Sequence, residues 1–167
     1  MRQLAYTVLG IILLASLIQP LTEMAEACRK KVMISSALNN AFRAARDRSL
    51  TEESIQSLDA EIDVELFYDY FSEAFCDSLD LMESSRTESA YGSLSFEDYN
   101  EHFNEITIEI DLDEYEDYES GKEVTEVTLH AETDYKFDIG YLKLLNESTA
   151  EKYTLTFDRT YILTVKN

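Results

Sequence analysis

Apolar and polar positions follow three different rhythms along this chain. Leu4 to Ile18 is almost wholly apolar, and Gln3 to Thr22 is twenty residues without a charge. At about 1.5 Å per residue, such a run crosses the roughly 30 Å hydrocarbon core of a bilayer. Beyond it Leu21, Met24, Cys28, Val32, Ser35, Leu38, Phe42 and Ala45 recur at three- and four-residue intervals. That is the stripe of an amphipathic helix. Good helix formers and no Gly or Pro lie between them, so one helix is predicted to continue to about Arg48. Pro20 removes a backbone donor, which a membrane helix tolerates.

The middle of the chain predicts further helix. Ser49-Leu50-Thr51-Glu52 has the form of a capping box, and Ile55, Leu58 and Ile62 continue a helical spacing, though Asp59 to Asp63 can equally break it. Asp63 is placed to cap a second piece, in which Leu66, Tyr70, Phe71, Ala74, Phe75, Leu79 and Met82 form a broad apolar face. Glu83 to Tyr99 reads as a polar connector. From Glu105 the period becomes two. Ile106, Ile108, Ile110 and Leu112 alternate with polar residues, as do Val127 to Phe137 and Tyr153 to Val165. The breaks, residues 113–122 and 140–151, carry Gly121 and Asn146. Alternating strands joined this way give an antiparallel sheet with one apolar face, which the helix stripes must cover. The expected class is α+β: a long N-terminal helix and one or more further helices on a three- to four-stranded antiparallel sheet. Residues 1–22 are the transmembrane anchor, 23–48 its amphipathic continuation, and 49–167 an acidic α+β domain.

Charge separates the two parts. Among 167 residues, 34 are acidic and 14 basic, a net −20. Residues 1–48 hold seven basic and three acidic side chains, net +4, and the remainder carries −24. Phosphate binding relies on clustered Lys and Arg, so the composition excludes a nucleic-acid partner. Apolar residues at 45% are enough for a folded core. A cleaved secretory signal would end in a small-residue site, and the chain after Ile18 reads QPLTEMAEACRKK. Glu23 and Glu26 spoil the faint lipoprotein pattern ending at Cys28, so an uncleaved anchor is the better reading.

Candidate chemistry is sparse. The run from Asp111 to Glu119 invites calcium, but Tyr115 occupies the third ligand position of the calcium-loop template and Glu116 the glycine position. A solvated hairpin loop is expected there. Asp63, Glu65, Asp69 and Glu73 fit a solvent-facing helix surface better than an acid–base pair. His102 and His130 have no neighbouring ligand or nucleophile spacing. Cys28 and Cys76 cannot build a disulfide framework or a four-ligand zinc site. Both are expected to pack as small apolar residues, with a single bridge between them left open. Asn146-Glu147-Ser148 matches a glycosylation acceptor, meaningful only in a eukaryotic secretory route. No Gly-rich phosphate loop occurs. No catalytic, cofactor-binding or metal-ligating residue is nominated, and no small-molecule substrate is indicated.

The head LAYTVLGIILLASLI followed by ISSALNNAFRAARDRSL resembles the start of pilin-like proteins, and within them the TadE-like pseudopilins of tight-adherence pilus systems. The resemblance covers roughly the first fifty residues by motif and the rest by architecture. It implies a non-enzymatic, single-pass component of a bacterial pilus or secretion assembly. Its partners would be the membrane and other pilin-like subunits or pilus assembly proteins, with the C-terminal domain outside the cell. No acid precedes Glu23 in the apolar run and Gly10 lies inside it, so no functional residue carries over from the family. Arg29, Lys30 and Lys31 outnumber Arg2 across the anchor, and by themselves place the domain in the cytoplasm. The residues also suit an anchored binding domain that recruits a basic partner or cations through its acidic surface.

Overall fold

A computed structural model describes residues 2–50, 62–99, 103–118, 121–135 and 153–166. Helix α1 runs over Arg2–Ser49 and α2 over Val64–Leu79. Strands β1 (Met82–Thr87), β2 (Tyr91–Glu97), β3 (Ile106–Asp117), β4 (Lys122–Asp134) and β5 (Thr154–Lys166) form one antiparallel sheet in chain order. The class is α+β, with five strands where three or four are expected. Two compact units divide the chain: residues 1–32 with 135–153, and residues 33–134 with 154–167.

In the larger unit the sheet turns one face to the helices. Leu94 and Phe96 of β2, Ile106, Ile108 and Ile110 of β3, and Val127, Leu129 and Ala131 of β4 are buried. Alternation puts all of them on one side, which would lie bare in water without a cover. Helix α1 brings Ile34, Leu38, Ala41, Phe42 and Ala45, and α2 brings Phe67, Tyr68, Phe71 and Phe75, all buried. Their rings form a connected row. Tyr161 of β5 stacks on Phe42 at 4.0 Å, Phe42 meets Phe67 edge-on at 6.2 Å, and Phe67, Phe71 and Phe75 follow at 6.1 Å steps. Phe75 closes the row on Phe96 of β2 at 4.8 Å. Burying one such ring contributes about 2–3 kcal/mol.

The ends of α2 follow local chemistry. Asp63 caps it, its side chain accepting the Leu66 N–H at 3.2 Å, as expected. Asp80 stops it in the left-handed region (φ 57°), its own N–H returning to the Cys76 carbonyl. The buried face is turned from the expected stripe: Phe67, Tyr68, Phe71, Ser72 and Phe75 lie inside, whereas Leu66 is exposed and Met82 has left the helix for β1. Packing against two partners, the sheet and α1, selects that face. Ser49 is the last residue of α1 and Leu50 bridges Ile62, while Thr51 and Glu52 of the expected capping box lie outside the described residues. Ile55 and Leu58 lie outside the described residues.

Two expectations about loops are corrected. Residues 83–99 are not a connector but the hairpin β1–β2, with Gly92, Leu94 and Phe96 inward and Ser93 and Ser95 between them. Serine-rich strands have weak propensity, so their neighbours decide. Gly92 permits the hairpin to close: a Cβ there would collide with the Thr87 carbonyl and the Tyr68 hydroxyl. Likewise residues 113–117 are strand, each paired with β4 as far as Asp117↔Lys122, and Gly121 turns the chain at φ 65°. Ladder pairing with β4 outweighs an acidic composition that reads as loop.

The smaller unit is built on α1 up to Val32. Tyr135, just past β4, donates its hydroxyl to the Glu23 carbonyl at 3.4 Å, and the Lys30 ammonium stands 5.3 Å from its ring centre. The Tyr135 N–H reaches the Tyr153 carbonyl at 2.8 Å, closing the two ends of segment 135–153. Phe137 lies outside the described residues.

Leu38 has no exposed surface, while Asn40 faces solvent on the same helix. Leu38→Asp buries an unpaired carboxylate at a cost of several kcal/mol, comparable with the roughly 5–15 kcal/mol that holds a domain together. Asn40→Asp adds the same charge in water. In thermal melts of the full chain in detergent micelles, Leu38→Asp should abolish the cooperative transition and Asn40→Asp should keep it.

Candidate interaction surfaces

Helix α1 carries the first candidate surface. Among the described residues it is the helix long and apolar enough to cross a membrane, and Leu4 to Ile18 is exposed throughout. Within the uncharged run Thr7, Ser16 and Thr22 each donate to the carbonyl four residues back, at 2.7–2.9 Å. That closure is what hydrocarbon demands of polar groups.

Beyond the apolar run the helix is two-faced. Glu23, Ala27 and Ile34 are buried, whereas Leu21, Met24, Cys28 and Val32 are exposed. At about 100° per residue the two sets point roughly opposite ways. The first half of the expected stripe is therefore corrected: only its second half, Leu38, Phe42 and Ala45 with Ser35 beside them, meets the core. Small and polar residues, Ala27 and Glu23, take the inward positions, with the Tyr135 hydroxyl on the Glu23 carbonyl. An apolar line at helical spacing is left facing outward.

The outer face of the sheet is the second candidate. Glu109 and Asp111 of β3, Glu132 of β4 and Asp158 of β5 share it with Ser and Thr. Sequence shows the alternation that puts these acids on one face but not the register that brings them side by side. His130 stands among them on β4, and His102 lies outside the described residues. Of the acids in the 111–117 run, Asp111 and Asp113 lie on one face of β3 and Glu114 and Glu116 on the other. Among the described residues, no three of His, Cys, Asp and Glu come together as a metal site.

A third cluster ties α2 to the sheet. Arg86 of β1 donates two parallel bonds to Glu83, at 2.7 and 2.8 Å, a third to Glu88 at 2.9 Å, and another to Asp69 of α2. Ser72 donates to the same Glu83 carboxylate. The Arg86 guanidinium holds the Glu83 carboxyl below its usual range. Tyr68 donates to the Ser89 carbonyl at 3.0 Å, and burial pushes its hydroxyl up to about 12. Every charge here is consumed by a neighbour on the same scaffold, so the cluster is a brace. Of the helix acids, Asp63 caps, Asp69 pairs with Arg86, Glu73 reaches Arg48 at 3.5 Å, and Glu65 is exposed.

No protein-family model matches the chain, and neither a curated protein nor a solved structure is found to match it.

Both cysteines are free thiols, Cys28 exposed and Cys76 half-buried, so Cys28 does not pack as an apolar residue. Burial also pushes the Cys76 thiol up. Thiol labelling of the full chain at neutral pH should show one fast site and one slow one. Cys28→Ser should remove the fast phase.

Proposed function

We propose that this protein is a non-enzymatic, single-pass membrane component of a pilin-like assembly, with its acidic domain outside the cell. One observation carries the reading: a single unbroken helix, Arg2–Ser49, holds both an apolar segment of spanning length and side chains built into the domain core. A plain anchor joined by a linker would have no reason to give Ile34, Leu38 and Phe42 to the core. The outward line Leu21, Met24, Cys28 and Val32 continues the apolar surface past the spanning segment. It suits packing against a neighbouring subunit's helix.

A second reading has its own support. The acidic sheet face suits recruitment of a basic partner by electrostatic complementarity, independent of any filament. In that case the partner binds with the anchor removed, whereas a filament neighbour co-purifies through α1.

The decisive test is protease shaving of intact cells carrying an epitope tag after Asn167. The proposal expects loss of the tag without lysis. A tag that resists until lysis puts the domain in the cytoplasm, as Arg29, Lys30 and Lys31 alone would place it, and removes the pilus reading.

A further inference from the structure

On the outer face of the sheet, His130 lies between carboxylates of β4 and β5, with Glu109 of β3 opposite it in the ladder and itself accepting from the Tyr91 hydroxyl of β2 at 3.3 Å. Glu109 of β3 pairs with it on one side and Asp158 of β5 on the other. Glu132 follows two residues along β4, on the same face. The imidazole Nδ1 lies 2.5 Å from Asp158 Oδ1, and Nε2 lies 2.9 Å from Glu132 Oε1. Asp111, one same-face position further along β3, is the next charge on this surface. Arg159 points to the opposite face, where it donates to Ser35 of α1 at 3.1 Å. Both helices pack on that opposite face and add no charge around the ring.

We propose that His130 is a protonation-controlled clamp that holds strand β5 to β4 through Asp158. A neutral imidazole has one N–H, so it donates to one carboxylate and turns a lone pair towards the other. Only the doubly protonated ring donates to both, and the two short contacts fit that form. Hydrogen bonds with Glu132 first, and then Asp158, raise the His130 pKa, with partial burial opposing them. Loss of the proton leaves Glu109, Glu132 and Asp158 facing one another around a neutral ring. Strand β5 is also where α1 attaches, through Arg159 to Ser35, Tyr161 to Asn39 and the Tyr161–Phe42 stack. Releasing the clamp therefore loosens the strand on which residues 33–49 pack.

The sign of the pH dependence follows. A folded-state pKa raised above the unfolded value of about 6.5 gives stability that is complete below that value. It is lost as pH rises through the folded-state pKa. His130, with its pKa raised, changes charge between about pH 6 and pH 9, whereas burial pushes the Cys76 thiol up from its ordinary value.

The test uses the full chain in detergent micelles, with His ring NMR signals assigned by His130→Gln. The His130 ring should titrate above the ordinary histidine value and move back towards it in both Asp158→Asn and Glu132→Gln. The melting temperature of the parent should fall by a few degrees from about pH 6 to about pH 9. His130→Lys keeps a charged donor across that range and should hold the higher melting temperature at both ends. His130→Gln should show the lower one at both. A ring that titrates at or below the ordinary value overturns the clamp. So does a parent whose melting profile matches His130→Lys at every pH, because the proton would then hold nothing.

Discussion

The five-stranded sheet has one apolar face, and the aromatic row from Tyr161 through Phe42, Phe67, Phe71 and Phe75 to Phe96 covers it. Everything else in the larger unit is arranged around that requirement. The row begins on β5 and ends on β2, so it crosses the sheet beneath both helices. Both helices contribute: Phe75 of α2 meets Phe96 of β2, and Phe42 of α1 meets Tyr161 of β5. The brace of Arg86 with Glu83, Glu88 and Asp69 then fixes α2 at one edge. Ser35 and Asn39 fix α1 at the other through Arg159 and Tyr161.

This arrangement gives α1 two duties. Its second half gives Ile34, Leu38, Ala41, Phe42 and Ala45 to the core. Its first half is an apolar segment of spanning length in which Thr7, Ser16 and Thr22 bond their own helix carbonyls. Between them lies a stretch that is buried on one side by Tyr135 and apolar on the other.

Much of this was legible in sequence, and the failures have a common cause. Period and capping alone located α1, the start of α2 at Asp63, and strands β3 to β5, because each rests on local chemistry. The hairpin β1–β2 was missed because Ser93 and Ser95 have little preference of their own, and its pairing comes from Ile106–Asp111 next door. The extension of β3 to Asp117 was hidden by acids that read as loop until β4 pairs with them. On α1 the spacing alone does not choose the inward face: Met24 and Cys28 keep the stripe's period, yet Ala27 is the buried residue there. Of the candidate surfaces, the acidic face shows in the alternation of Glu109 and Asp111. The approach of Asp158 to His130 depends on strand register, which no local pattern encodes.

Residues 33–49 of α1 give their buried side chains to the domain core. Amide hydrogen exchange of the full chain in detergent micelles tests it most directly. The account predicts that Ile34 to Ala45 exchange as slowly as the central strands β3 and β4, and open with them in one cooperative event. Rapid exchange across Ile34 to Ala45 while β3 and β4 stay protected would contradict it, since the sheet would then stand without its helix.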